Sequence, residues 1–99
     1  MILEHAILNV KAGLGPAFEE AMREALPLIA ETPGFIELEL RPCVETPDRF
    51  LLLVRWASVE AHTLGFRGSD RYAEWKRRLH HFYDPFPVVQ HYGPPVAGD

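Results

Sequence analysis

Cysteine is nearly missing from this sequence, and so is any long hydrophobic run. Cys43 is the one cysteine, so no disulfide can form within the chain. No apolar run reaches the roughly 18 to 20 residues that a membrane-spanning helix needs. The first residues, Met1 to His5, lack the basic stretch and the apolar core of a secretion signal. We therefore expect a cytoplasmic protein.

An excess of positive charge is also missing. The chain has 14 acidic and 10 basic residues and a net charge of −4, which argues against a general nucleic-acid binder. Its 99 residues form one predicted domain, 1–99, in which about 94–99 are a flexible tail. A domain of this size buries only about 60 to 65% of its unfolded surface, so association with a second chain is expected.

Strand and helix periodicities follow one another in the order βαββαβ, with the second helical part split in two. The predicted elements are strands over 2–10, 35–41, 50–56 and 88–92, a helix from Pro16 to about Glu31, a short helix from Ser58 to about Gly68, and a helix that starts after Ser69. This order fits an α+β fold, a ferredoxin-like antiparallel sheet with helices on one face.

Two details of this pattern can be checked directly. Pro27 lies inside the first predicted helix and has no N–H to donate, so a kink or a break is expected there. In the second strand the alternation predicts that Ile36, Leu38 and Leu40 point inward.

The strand over 50–56 is apolar on both faces up to Arg55. Helices on one side of an antiparallel sheet leave the other side open, and an apolar open face needs a cover. A second copy of the sheet is the simplest cover. We therefore predict a homodimer formed through the sheet faces.

Several segments together resemble a known family. They are Trp56-Ala57-Ser58-Val59-Glu60-Ala61-His62, Phe66-Arg67-Gly68-Ser69, Tyr72, Trp75 and His91-Tyr92. The resemblance is to the antibiotic biosynthesis monooxygenase domain, a dimeric α/β barrel family, and it covers nearly the whole chain. It implies a choice among oxidation of phenols or hydroquinones by dioxygen without metal or flavin, haem degradation, and roles that are not assigned.

Histidines are the first candidates for proton transfer, because imidazole titrates near cellular pH. His62 shares a predicted helical face with Val59 and Phe66, so it should point toward the sheet. It is our candidate for a catalytic base, and the alternative is a packed histidine bonded to a backbone carbonyl. His91 in the last strand could meet His62 between helix and sheet.

Other side chains could orient or enclose a small molecule. Arg67 and Tyr83 are candidates for holding a phenolic oxygen. His81 and Tyr83, beside the Pro85-Phe86-Pro87 turn, could close one mouth of a cavity, while His80 is interpreted as a structural residue at a helix end. The candidate apolar walls are Trp56, Phe66, Tyr72, Trp75 and Phe86. For Tyr72 and Trp75 the helical spacing favours an ordinary core face over a ligand-stacking role.

A metal site and a haem site are not expected. No two histidines have the four-residue spacing of a helical metal site, and there is no cysteine cluster. Haem-degrading relatives of this family use a strand-one Asn, a Trp and a His. Here Gly65 stands in place of that Trp, Trp75 or Lys76 in place of that His, and Asn9 falls later on its strand.

The preferred hypothesis is therefore a cofactor-independent monooxygenase that oxidises a small phenolic or hydroquinone-type aromatic with dioxygen. In this chemistry the protein supplies a proton acceptor, an orienting group and apolar walls. The alternative is a non-catalytic dimer of the same fold that binds a small molecule. Either function requires a cavity of a few hundred cubic ångströms, and side chains filling that space would favour a purely structural role.

Overall fold

The computed structural model describes residues 1–98 and confirms the predicted order of elements. Asp99, the last residue of the predicted tail, lies outside the described residues. The elements are β1 (Ile2–Asn9), α1 (Gly15–Ala30), β2 (Phe35–Pro42), β3 (Arg49–Trp56), a π-helix (Ala61–Phe66), α2 (Asp70–Leu79), a 3-10 helix (His80–Phe82) and β4 (Val89–Tyr92). Within 1–98 no helix is long and apolar enough to cross a membrane.

The four strands form one antiparallel sheet in the order β2-β3-β1-β4. The helices cover one face of it, as the α+β interpretation predicts. Residues 4, 6 and 8 of β1 point into the space between sheet and helices, and all three are buried. Ala6 and Leu8 are apolar, but the third member of this row is Glu4, which is only 5% exposed.

The core is the apolar contact between the inner sheet face and the helices. Helix α1 contributes Phe18, Met22, Ala25 and Ile29, whose three- and four-residue spacing places them on one side of the helix. Helix α2 contributes Trp75 and Leu79, and its N-terminus is capped by Ser69, whose Oγ accepts from the Tyr72 N–H as predicted.

Of the kink or break expected at Pro27, the break is wrong. Helix α1 runs without interruption to Ala30, and Pro27 lies in its last turn with its ring exposed to solvent. The missing N–H therefore removes one hydrogen bond near the helix end, and the carbonyl of Pro27 still accepts from the Glu31 N–H at 3.2 Å. The Thr32 to Gly34 turn then follows as predicted.

The predicted inward position of Ile36 is also wrong, and Ile36 is 49% exposed. The pairing of β2 with β3 shifts by one residue between Phe35 and Glu37, which is a β-bulge. Phe35 takes the inward position instead, edge-on to Trp56 with ring centroids 5.8 Å apart. Beyond the bulge the predicted alternation holds, since Leu38 and Leu40 pack against the core.

The other face of the sheet carries an apolar strip that no helix covers. Leu51 and Leu53 are half-buried beside Ile7, which is 48% exposed. Arg55 and Glu37 form an ion pair at the margin of this strip, with 2.5 Å between Arg55 Nε and Glu37 Oε1. The strip is the open face that the sequence pattern of β3 predicts.

Asp48, in the β2–β3 loop, holds the N-terminus of α1. Helix α1 has no side-chain cap of its own, and Asp48 accepts from the backbone N–H groups of Gly13 and Gly15, each at 3.0 Å. A Cβ at Gly15 would lie 2.6 Å from Asp48 Oδ1, so this approach requires glycine. Asp48 itself has φ +60°, which Asp and Asn tolerate better than most residues.

Replacing Asp48 with Ala is predicted to lower the free energy of unfolding by about 1 to 2 kcal/mol, because the two N–H groups lose their acceptor. Asp48→Asn keeps one acceptor oxygen and should lose less, while Asp48→Gly removes the side chain without the positive-φ cost. Urea unfolding measures all three. A variant Asp48→Ala as stable as the wild type would contradict this role.

Candidate functional site

Glu4 is the polar centre of the inner face. The alternation of β1 turns its carboxyl toward the helices, where Trp56 Nε1–H donates to Oε1 at 2.9 Å. Trp56 is fully buried at the end of β3. Burial raises the pKa of Glu4, against the opposing effects of the Trp56 hydrogen bond and the positive charge of Arg67. The carboxyl is therefore a stronger base than one in water.

His62 reaches Glu4 from the helical layer. It lies in the π-helix, where the Arg67 N–H bonds to the His62 carbonyl at 3.0 Å across five residues. Its ring is 3% exposed and stacks on Trp56 at 5.2 Å between centroids. His62 Nε2 is 3.4 Å from Glu4 Oε1. The predicted inward orientation of His62 is thus present.

The close seating of this π-helix depends on the preceding turn. Gly34, with φ +91°, lies so close to Ala61 that a Cβ on it would be 2.6 Å from the Ala61 Cβ. The Ala57 N–H also donates to the Gly34 carbonyl at 2.7 Å, and Ser58 Oγ accepts from the Ala61 N–H at 3.1 Å. These contacts place His62 over the inner sheet face.

His91 completes a row of three polar side chains. It stands directly opposite Glu4 in the β1–β4 pairing. Its Nε2 is 2.8 Å from His62 Nδ1, so the contact anticipated between the two histidines exists, and the tautomers decide which ring donates. His91 is half-buried, whereas Glu4 and His62 are buried.

Both imidazoles are held in the neutral form. Burial, together with the positive charges that Arg67 and His91 would present, lowers the pKa of His62 to about 3, and burial is the largest of these causes. Burial and Arg67 also lower the pKa of His91. A resting imidazolium is therefore disfavoured at both positions near pH 7.

A cavity of about 80 Å³ lies beside this row, between the sheet and the helices. Its polar lining is formed by Glu4, His62, Arg67, Tyr72, His80 and Tyr83. Its apolar lining includes Phe66, Trp75, Ile29, Leu52 and Phe86. Arg67 and Phe86 are exposed to solvent, so they form the rim.

The cavity is smaller than the few hundred cubic ångströms expected from the sequence, because aromatic side chains project into the space. An engineered cavity that binds benzene measures roughly 150 Å³. In this conformation the space suits dioxygen or a few waters, and its volume taken alone favours the purely structural role over the two ligand-binding functions. An aromatic ring requires an outward movement of rim side chains such as Phe86, which is 62% exposed.

Tyr83 places its hydroxyl in a buried environment. Burial raises the pKa of Tyr83, and the neighbouring acidic groups of Glu4 and Tyr72 raise it further. The hydroxyl therefore keeps its proton and can donate a hydrogen bond to an oxygen in the cavity. The aromatic neighbours of Tyr83 include Phe18 and Phe86, at 5.7 and 6.0 Å between centroids.

Most of the predicted site residues line this cavity, but His81, Trp56 and His91 do not, and His91 contacts His62 beside it. His81 is exposed and lines a separate surface groove with Ala21 and Glu24, so its predicted place at the cavity mouth is wrong. His80 takes that place, since successive residues of a 3-10 turn point in different directions. Trp56 lies behind Glu4 and His62 rather than on the wall that was predicted for it.

Glu4 is the site residue that the sequence reasoning missed. Its signal was available: Glu4 falls on the inward face of β1 between Ile2 and Ala6. A carboxyl in an otherwise apolar row is an informative exception because burying it requires partners. The partners, Trp56 and His62, are more than fifty residues away in sequence and become visible only in the fold.

The donor set at the site does not resemble a metal centre. The 2.8 Å between His62 Nδ1 and His91 Nε2 is too short for a metal ion that binds each nitrogen at about 2.0 to 2.1 Å with an open angle. Among residues 1–98 no three His, Cys, Asp or Glu side chains converge in a way that could hold a metal.

Comparisons with known proteins agree on one family. The sequence model of antibiotic biosynthesis monooxygenases matches residues 1–78. The uncharacterized protein YczJ of Bacillus subtilis is 49% identical over 92 residues, which cover 93% of this chain and 97% of that protein.

Solved structures extend this agreement to the fold. A Bordetella bronchiseptica protein named after the same family has 29% identity and a TM-score of 0.90 over 96% of this chain and 97% of its own. SnoaB, a cofactor-independent oxygenase from Streptomyces nogalater, has a TM-score of 0.84 over 97% and 94%, and at 12% identity that likeness shows the fold alone.

Acidification is predicted to destabilise the protein through His62. Its pKa is about 3 in the folded chain against 6.5 for an ordinary histidine. Below pH 6.5 the unfolded chain therefore takes up a proton that the folded chain refuses, and stability falls as the pH falls. Between pH 6.5 and pH 5 this proton uptake by the unfolded chain lowers the free energy of unfolding by about 1.5 kcal/mol.

Urea unfolding of the wild type and His62→Gln at both pH values measures this cost. Between pH 6.5 and pH 5 the free energy of unfolding should fall by about 1.5 kcal/mol more in the wild type than in the variant. The lowered pKa values of His80 and His91 act in the same direction, and the comparison with the variant largely removes them. Equal losses in the two proteins would contradict a neutral, buried His62.

Proposed function

Because the chain belongs to the antibiotic biosynthesis monooxygenase family, we propose that it oxidises a small phenolic or hydroquinone-type aromatic with dioxygen and without a cofactor. The observation that carries this proposal is the row Glu4, His62 and His91 beside the cavity. A buried, partnered acid–base row of this kind is what removal of a phenolic proton requires. The cofactor-independent oxygenase SnoaB shares the fold.

Glu4 acts as the proton acceptor, and His62 is its neighbour at 3.4 Å. The sequence alone favoured His62, but an imidazole with a pKa of about 3 is too weak a base to hold a phenolic proton. The raised pKa of Glu4 brings the carboxylate closer to the phenol, whose own value is about 10. Glu4 lines the cavity, so its carboxylate can approach the substrate oxygen.

Arg67 and Tyr83 stabilise the oxygen that loses its proton. Arg67 lines the rim with a permanent positive charge, which favours a phenolate over a phenol. Tyr83 stays protonated because burial raises its pKa, so its hydroxyl donates to the same oxygen. The two groups approach from different elements, which gives the substrate ring a single orientation.

Oxidation then draws its electrons from the substrate. For a phenol with a free para position, the phenolate gives one electron to dioxygen, and the resulting radical and superoxide join through a new bond from carbon to oxygen. The peroxide takes up one proton. Loss of the para hydrogen with cleavage of the bond between the two oxygens then releases water and leaves a quinone, so that one oxygen atom enters the product and one enters water.

The apolar walls keep this reaction contained. Phe66, Trp75, Ile29 and Leu52 supply no acid or base that would exchange protons with the substrate, and their packing limits the water in the cavity. The cytoplasm is the proposed location, in agreement with the free Cys43.

The proposed protein is a homodimer, in which a second copy of the chain packs on the open face of the sheet. The apolar strip of Ile7, Leu51 and Leu53 faces away from the cavity, so a partner sheet can cover it without blocking the rim formed by Arg67 and Phe86. Covering this strip buries apolar surface that the single chain leaves in water.

Oxygen uptake by metal-stripped protein with 1-naphthol tests the proposed activity. We expect uptake above the autoxidation rate in buffer, with 1,4-naphthoquinone as product. Glu4→Gln keeps the size of the side chain but cannot accept the proton, and should lower kcat by about 100-fold or more. Glu31→Gln, an exposed change at the end of α1, is the matched control and should act as the wild type.

Two results would contradict this proposal. One is wild-type turnover by Glu4→Gln, which would remove the carboxyl from the chemistry. The other is the absence of uptake across naphthols, hydroquinones and polyphenols. Thermal stabilisation by one of these compounds without uptake would favour the alternative, a dimer that binds a small molecule.

The dimer is tested by placing a charge in the apolar strip. Leu53→Glu should shift the protein from dimer to monomer in sedimentation velocity, because the carboxylate would be buried without a partner. Leu64→Glu, at a residue 71% exposed on the helical side, is the control and should remain dimeric. A wild-type protein that sediments as a monomer at all concentrations would contradict the proposed dimer.

A further inference from the structure

We propose that His62 and His91 form a proton relay that connects buried Glu4 with solvent, in which His91 is the outer, positioning member; this inference rests on the proposed function. The geometry supports it. Glu4 lies 3.4 Å from His62 Nε2, and His62 Nδ1 lies 2.8 Å from His91 Nε2. The three side chains therefore lie in one row, with a hydrogen bond between the two rings and a 3.4 Å contact between His62 and Glu4.

The three side chains differ in burial, and this difference sets the direction in which a proton would travel. Glu4 and His62 are 5% and 3% exposed, while His91 is half-buried on β4 and touches solvent. His91 is therefore the member of the row that is most open to bulk water. A substrate that fills the cavity would also seal Glu4 from the rim, because Glu4 and the rim residues line the same space.

The pairing of the strands explains why the line can form. Glu4 and His91 face each other across β1 and β4, and both point to the inner side. His62 comes from the π-helix above them and closes the gap that the two strands leave. The stacking of His62 on Trp56 fixes the plane of the ring, so Nδ1 and Nε2 keep their separate partners.

Proton transfer along this line balances without a stable cation. With protonated Glu4 and the Nδ1–H tautomer of both rings, the carboxyl proton passes to His62 Nε2, the His62 Nδ1 proton passes to His91 Nε2, and the His91 Nδ1 proton passes to water. One proton enters and one leaves. Glu4 ends as a carboxylate, and both imidazoles end neutral as their Nε2–H tautomers.

The charged groups around the line favour this concerted route. Arg67, directly after the π-helix, opposes a positive charge on both His62 and His91. On the cavity side, Tyr83 is coupled electrostatically to Glu4, and the pKa of Tyr83 is raised. A passing proton is therefore not trapped on either imidazole, which suits a relay better than a storage site.

The same line can run in reverse later in the cycle. The peroxide formed on the substrate needs one proton before water can leave. If that proton enters through His91 and His62, both rings return to their Nδ1–H tautomers. One departure and one return thus restore the starting state, and no ring has to rotate in the packed core.

Nuclear magnetic resonance of protein with ¹⁵N-labelled histidine tests the line without any substrate. We expect neutral His62 and His91 rings at pH 7 and a scalar coupling between His62 Nδ1 and His91 Nε2 through the shared hydrogen. The coupling should vanish in His91→Gln. A wild-type protein without this coupling overturns the relay, whether or not the protein oxidises a phenol.

Kinetics with 1-naphthol test the use of the line. His91→Gln can hydrogen-bond to His62 but cannot pass a proton on, so kcat should fall about 10- to 100-fold with KM nearly unchanged. In His91→Ala kcat should fall by a similar factor, and added imidazole, which can enter from solvent, should restore it. His81→Gln, the same change at an exposed surface histidine away from the cavity, is the control.

The outcomes separate the two proposals. Wild-type turnover by His91→Gln, or a loss in His91→Ala that imidazole does not restore, overturns the relay and leaves the proposed activity intact. Absence of turnover in the wild type overturns the proposed activity. The scalar coupling between His62 and His91 then tests the relay separately, and its absence overturns the relay. A slow His91→Gln with imidazole rescue of His91→Ala supports both.

Discussion

The buried carboxyl of Glu4 is the constraint on which the rest of the site depends. A carboxyl loses its water when it enters a core, and this costs several kcal/mol unless partners replace the water. Trp56 supplies one hydrogen bond, and His62 lies within 3.4 Å. His62 in turn contacts His91, the member of the row that reaches solvent. Each partner comes from a different element, so the carboxyl links β1, β3, the π-helix and β4.

Strand pairing and the close seating of the π-helix hold these partners in place. The antiparallel pairing of β1 with β3 and β4 brings Trp56 and His91 to the carboxyl. A wide π-helical turn, seated closely on Gly34, brings His62. An uncompensated polar group in this core would be costly, and no buried side-chain nitrogen or oxygen in residues 1–98 lacks a hydrogen-bond partner. The acid–base row is therefore compatible with a stable core.

The sequence predicted the layers of this protein well, because periodicity reports which residues face a core. It also anticipated the inward His62 and its contact with His91. It failed where a local irregularity changes the direction in which a side chain points. The bulge turns Ile36 outward, and the 3-10 turn places His80 rather than His81 at the cavity. It also missed Glu4, since its partners lie in distant strands and helices. Cavity volume depends on side-chain packing, which periodicity does not describe.

The central claim is that Glu4 removes the proton of a bound phenol. Anaerobic titration of the protein with 1-naphthol near pH 7, followed by ultraviolet absorbance, tests it before dioxygen can react. The account predicts the naphtholate spectrum for the wild type, and the spectrum of neutral naphthol for Glu4→Gln with binding retained. Neutral naphthol bound to the wild type, or naphtholate bound equally to both proteins, would contradict it.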